Sequence, residues 1–110
     1  MLKKTLLIDL DGVLNNYNGN YDKDFVPPMK DGAKDLLEKL SKDYEIKLFT
    51  SRNKLLAGKW IIENNLDEFI TDIISEKQPA WIYIDDRCIN FNGNYAKLYD
   101  DIINFEVWYK

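Results

Sequence analysis

The sequence predicts an α/β fold: a mostly parallel, five-stranded sheet with helices on both faces, making a three-layer sandwich. Three observations lead there. Short β-rich apolar runs alternate with stretches of helical periodicity along the chain. The 110 residues suit one domain, and residues 1–110 hold no repeat, linker or low-complexity tract. Finally, three strand-like runs end in polar clusters, which a parallel sheet gathers at its carboxyl edge.

Taken in order, Thr5-Leu6-Leu7-Ile8 is a buried strand that stops at Asp9 to Asp11. Residues 12–27 are irregular, and Asn18-Gly19 between Tyr17 and Tyr21 predicts a small hairpin. Pro27-Pro28 precedes a helix whose Ala33, Leu36, Leu37 and Leu40 share one face. Ile46 to Thr50 is the second strand. Residues 53–65 form the second helix, with Leu56, Ala57, Trp60 and Ile61 inward and Asn65 as its C-cap. Phe69 to Ile74 and Trp81 to Ile84 are the third and fourth strands. Tyr95, Leu98, Tyr99 and Ile102 mark a last helix, and Phe105 to Tyr109 a fifth strand. About six residues separate the third and fourth strands, whereas a parallel crossover usually takes a dozen or more. That spacing predicts a short edge strand and an extended connection.

Composition narrows the function. Aromatics at 14% and apolar residues at 45% argue for a packed core over disorder. With no histidine, Ser-His-Asp or Cys-His nucleophiles and His-ligated zinc are excluded. The single cysteine, Cys88, cannot form an internal disulfide or a thiolate cluster, which favours a reducing compartment. The opening apolar run breaks at Asp9, too early for a signal peptide, and no run of about 18 apolar residues offers a membrane span. A cytoplasmic protein is expected. The net charge of −4 lowers the odds of a polyanion partner held by bulk electrostatics.

The polar strand ends are Asp9-Leu10-Asp11-Gly12, Thr50-Ser51-Arg52 and Asp85-Asp86-Arg87. Thirteen aspartates make chance pairs common, and Asp22-Lys23-Asp24 and Asp100-Asp101 occur as well. Asp9/Asp11 and Asp85/Asp86 differ because each pair directly follows an apolar strand. Like charges about 4 Å apart repel by on the order of 4 kcal/mol at an effective dielectric of 20. Four converging carboxylates therefore need a counter-charge, either a cation or nearby Lys and Arg. Hard oxygen ligands without His or Cys suit Mg²⁺, which leaves positions for water and a substrate phosphate. Phosphoryl transfer is the chemistry this suggests.

These residues resemble the haloacid dehalogenase (HAD) superfamily of phosphohydrolases. Ile8-Asp9-Leu10-Asp11-Gly12-Val13 looks like its first motif, and Phe49-Thr50-Ser51-Arg52 like its second. Lys77 before Pro79 looks like the third, and Ile84-Asp85-Asp86-Arg87 like the fourth. The resemblance implies a Rossmann-like, HAD-like sheet with strand order 5-4-1-2-3 and, given the short intervals, no cap domain. It implies Asp9 as the nucleophile that becomes an aspartyl-phosphate and Asp11 as general acid/base. It also implies Thr50 as a phosphoryl hydrogen-bond partner and Lys77 as a charge neutraliser. The Mg²⁺ set would be Asp9, the Asp11 carbonyl, Asp85, and Asp86 through a water.

Ser51, Arg52 and Arg87 are candidates for substrate contact. Ser51 also suits turn-shaping, and each arginine either holds a substrate phosphate through its fork or pairs with the aspartates. Tyr17, Tyr21 and Phe25 either stack on a ring or pack their loop. The expected activity is hydrolysis of a phosphomonoester: a nucleotide, a sugar phosphate or a nucleic-acid end, the last disfavoured by the acidic pI. An uncapped site is open, or is covered by a neighbouring subunit of a homo-oligomer, for which Trp108 and Tyr109 are candidate contacts. A non-catalytic protein of the same fold is the alternative. A receiver-like phospho-acceptor fits less well, because it would place its acceptor Asp on the third strand and its Lys after the fifth.

Overall fold

The computed structural model describes residues 2–109. Along the chain come β1 (Lys4–Asp9), α1 (Ala33–Ser41), β2 (Tyr44–Phe49), α2 (Lys54–Glu63), β3 (Asp72–Ile74), β4 (Ile82–Ile84) and α3 (Tyr95–Ile103). The four strands form one parallel sheet in the order β3-β2-β1-β4. The register pairs Asp9 with Phe49 and Leu7 with Tyr83.

Strand alternation sorts the core. Leu6 and Ile8 of β1 and Ile46 and Leu48 of β2 face one side, where they pack with Leu37 of α1 and with Ala57, Trp60 and Ile61 of α2. Full burial of a Leu or Ile contributes roughly 1.5–3 kcal/mol, so this side carries most of the fold's apolar stabilisation. Leu36 was expected on the inner face of α1, but it sits at the edge of the stripe and is 47% exposed.

Local chemistry sets the ends of α2. The Asn53 side chain accepts from the Leu55 and Leu56 amides, satisfying two otherwise orphaned donors. At the other end Asn64 is the C-cap, and Asn65 follows with φ 58°. The Asn65 amide donates to Ile62 and the Leu66 amide to Ile61, the Schellman pattern, which seats Leu66 in the core. Asn65 thus lies one place beyond the cap it was expected to provide, in the left-handed position.

Three expectations give way. The hairpin around Asn18-Gly19 does not form, because the Tyr17 amide is taken by the Asn15 side chain and cannot begin a ladder toward Tyr21. Pairing occurs instead at the loop's base, where Asn15 bridges Met29 and the Asn16 amide donates to the Pro28 carbonyl. The fifth strand over 105–109 is also absent, so the sheet has four strands in place of five in the order 5-4-1-2-3. Trp108 is held elsewhere, its indole N–H donating to the Gly12 carbonyl at 2.6 Å, while Tyr109 packs edge-on against Tyr17.

The third layer is missing as well. Helix α3 buries no residue and packs against no other element among the described residues. The connection 75–81 meets the sheet's second face through Gln78, which accepts from Lys47 Nζ and from the Tyr83 hydroxyl. β3 is the short edge strand the spacing required, with its start at Asp72 and not Phe69. β4 likewise begins at Ile82, one residue after Trp81.

Candidate active site

Asp9 ends β1 and Asp85 follows β4, its neighbour in the sheet, so both aspartates stand at the carboxyl edge. Carboxylate oxygens of Asp9, Asp85 and Asp86 all lie within 4.8 Å of one another. Burial first, then the Asp85 and Asp86 charges and a hydrogen bond shared with Asp86, push the Asp9 carboxyl up to about 8. The Leu10 amide works against that rise. Burial raises Asp85 too, opposed by the Arg87 amide that donates to it at 2.9 Å. This is a cluster of like charges in need of a counter-charge, with oxygen donors only. That donor set fits a hard divalent cation such as Mg²⁺.

Asp11 is not in this cluster. Its carboxylate accepts from Arg52 Nε at 2.7 Å and Arg52 Nη2 at 3.1 Å, and from Asn15 Nδ2 at 3.1 Å. Arg52 is 1% exposed at its side chain, and its remaining Nη1 donates to the Asp22 carbonyl. Its guanidinium also lies over the Tyr21 ring, 4.7 Å from the centroid. Of the two roles open to Arg52, pairing with an aspartate is therefore the one observed. The side chain that was expected to meet substrate instead ties the 12–25 loop to Asp11.

Gly12 holds φ 86°, a conformation that disfavours a side chain, and a Cβ there would lie 2.7 Å from Asp86 Cγ. Only glycine lets the first loop pass so close to the second acidic pair.

A cleft of about 240 Å³ opens on the second face of the sheet and has Asp9 and Asp85 in its lining. Leu7, Phe49, Tyr83 and Ile84 form its apolar part, and Lys77 and Arg87 are its cations. Lys77 and Arg87 thus share a cleft with Asp9. Lys77 also sits over the Tyr83 ring, 4.5 Å from its centroid. Thr50 and Ser51 are not in this cleft. They line a separate hollow with Arg52 and Gln78, where the buried Thr50 hydroxyl accepts from the Arg52 amide. Hollows of about 610 and 630 Å³ contain none of the three clustered aspartates, whereas one of about 320 Å³ has Asp85 and Asp86 in its lining, with Gly12, Lys30 and Trp108.

Asn15 escaped the sequence reading, although it is fully buried and its side chain binds the Gly12 and Tyr17 amides as well as Asp11. A polar residue between Leu14 and Asn16 carries no distinctive pattern. Tyr83 was read only as a strand residue, and Phe49 as a strand residue that opens the second motif, neither as lining of the site. Their place beside Asp9 follows from the register, which no local signal in the sequence specifies.

No family model matches the chain, and neither does any curated protein. Among solved structures the fold is similar to that of a conserved protein from Bacteroides thetaiotaomicron. The two align with a TM-score of 0.63 at 18% identity, over 93% of this chain and 91% of that one. At that identity the likeness speaks to the fold alone. No helix among the described residues is long and apolar enough to cross a membrane.

Proposed function

We propose that this chain is a Mg²⁺-dependent phosphomonoester hydrolase of the haloacid dehalogenase type, working through an aspartyl-phosphate on Asp9. The observation that carries the reading is the trio of Asp9, Asp85 and Asp86 at the carboxyl edge of a parallel sheet, Asp9 and Asp86 half-buried and Asp85 exposed, with Lys77 and Arg87 lining the same cleft as Asp9 and Asp85. Asp9, Asp85 and Asp86, with the Asp11 carbonyl, would hold the metal. Mg²⁺, when bound, supplies the positive charge that keeps Asp9 ionised and offsets the charge of the phosphoryl oxygens.

In the first step an Asp9 carboxylate oxygen attacks phosphorus, the ester bond breaks, and the leaving alcohol takes a proton from Asp11. In the second, Asp11 takes a proton from water, which displaces Asp9 and releases phosphate. Lys77 and Arg87 neutralise charge on the phosphoryl group. Asp11 is engaged by Arg52 and Asn15 in this structure, so turnover requires it to leave that fork. The same engagement favours a second reading, a protein of this fold that binds phosphate esters without turning them over.

Hydrolysis of p-nitrophenyl phosphate in Mg²⁺ and in EDTA separates the two. The hydrolase reading expects turnover that EDTA abolishes and Mg²⁺ restores. Binding of the ester with no release of phosphate at any metal concentration would establish the second reading.

A further inference from the structure

We infer that the preferred substrate is a phosphate ester bearing a single aromatic ring, and not a nucleotide or a sugar phosphate. The inference rests on the phosphatase reading of Asp9 and concerns what the leaving group must be. The cleft that reaches Asp9 has a volume of about 240 Å³. A dry apolar cavity of about 150 Å³ accepts a benzene ring. One ring and one phosphoryl group therefore fit this space.

The lining points the same way. Away from the carboxylates and the two cations, the walls are Leu7, Phe49, Tyr83, Ile84 and Cys88. The one hydroxyl among them, on Tyr83, already donates to the Gln78 carbonyl at 2.8 Å. A ring meets these apolar walls without desolvating hydroxyls, a cost that a sugar carries. Phe49 and Tyr83 flank β1 from opposite sides, paired with Asp9 and Leu7 respectively, so aromatic surface lies on either side of the strand that presents the nucleophile. Lys77 and Arg87 supply positive charge for the phosphate in the same space.

The test uses two alkyl phosphates with similar leaving alcohols, 2-phenylethyl phosphate and n-butyl phosphate, so that intrinsic reactivity does not favour the ring. With Mg²⁺ present, kcat/KM for the phenylethyl ester should exceed that for the butyl ester by about tenfold or more. Adenosine monophosphate should be slower than the phenylethyl ester. Equal rates for the two alkyl esters, or a faster nucleotide, would overturn the ring preference while leaving the phosphatase reading intact.

Calorimetry with phenylphosphonate and methylphosphonate reads the same preference without turnover, so it stands even if hydrolysis fails. Tighter binding of phenylphosphonate by about tenfold supports the ring site, and equal binding refutes it. Tyr83→Leu should narrow the difference; a Tyr83→Leu protein that keeps the full ring preference would remove Tyr83 from the site.

Discussion

Asp9 lies close to two other carboxylates and is half-buried, and these facts govern how the protein should respond to pH. Its carboxyl is pushed up to about 8, whereas in the unfolded chain it titrates near 3.8. Between those values the folded chain holds a proton that the unfolded chain releases, so metal-free stability should fall as pH rises from 4 toward 8. Thermal melts in EDTA should show Tm declining over that range, and Mg²⁺ should recover most of the loss at the alkaline end. Asp9→Asn should flatten the decline and melt several degrees above wild type at pH 9 in EDTA. A wild-type Tm indifferent to pH and metal would contradict the clustering. The Arg52–Asp11 pair makes the opposite kind of prediction. Removing one partner leaves a buried charge alone, so Arg52→Ala should cost about 3–5 kcal/mol in urea unfolding. It should also free the 12–25 loop, visible as new protease cleavage near Asp22.

At the scale of elements, β1, β2, α1 and α2 were legible because their apolar periods and caps are local. Asn53 ahead of Leu55 and Leu56 is an N-cap by residue type, and Asn53→Ala should lose about 1 kcal/mol in chemical denaturation, with no change beyond α2. The failures have a common physical origin in partners far along the chain. Phe105 to Tyr109 has the composition of a strand, yet Trp108 finds the Gly12 carbonyl, 96 residues away in sequence. Asn18-Gly19 has the composition of a hairpin turn, yet Asn15 claims the Tyr17 amide first. The candidate site divides in the same way. Asp9, Asp85 and Asp86 were legible because Asp9 ends β1 and Asp85-Asp86 directly follow β4, its parallel neighbour. The capture of Asp11 by Arg52 depends on a 41-residue separation that no spacing rule encodes.

At the scale of the molecule, only one face of the sheet is covered by helices. The radius of gyration is 14.9 Å, against about 13 Å for a compact domain of this size. Helix α3 carries Tyr95, Tyr99, Ile102 and Ile103 exposed. A helix of nine residues without tertiary partners has little to hold it in water. Its amides should exchange with solvent orders of magnitude faster than those of β1 and β2, as hydrogen-exchange mass spectrometry can measure; equal protection would show that α3 is packed. The uncovered second face is also where the cleft beside Asp9 opens, so the missing layer and the accessibility of the site are one feature of the fold.

The central claim is that Asp9 is the nucleophile. Its most direct test is to quench the Mg²⁺-loaded enzyme in acid during turnover of p-nitrophenyl phosphate and to map the acyl-phosphate by mass spectrometry, alongside Asp9→Asn. The account predicts a phosphoryl group on the peptide containing Asp9 in the wild type, and neither that adduct nor turnover in Asp9→Asn. Full turnover by Asp9→Asn, with no phosphoryl group on the wild-type peptide, would contradict it.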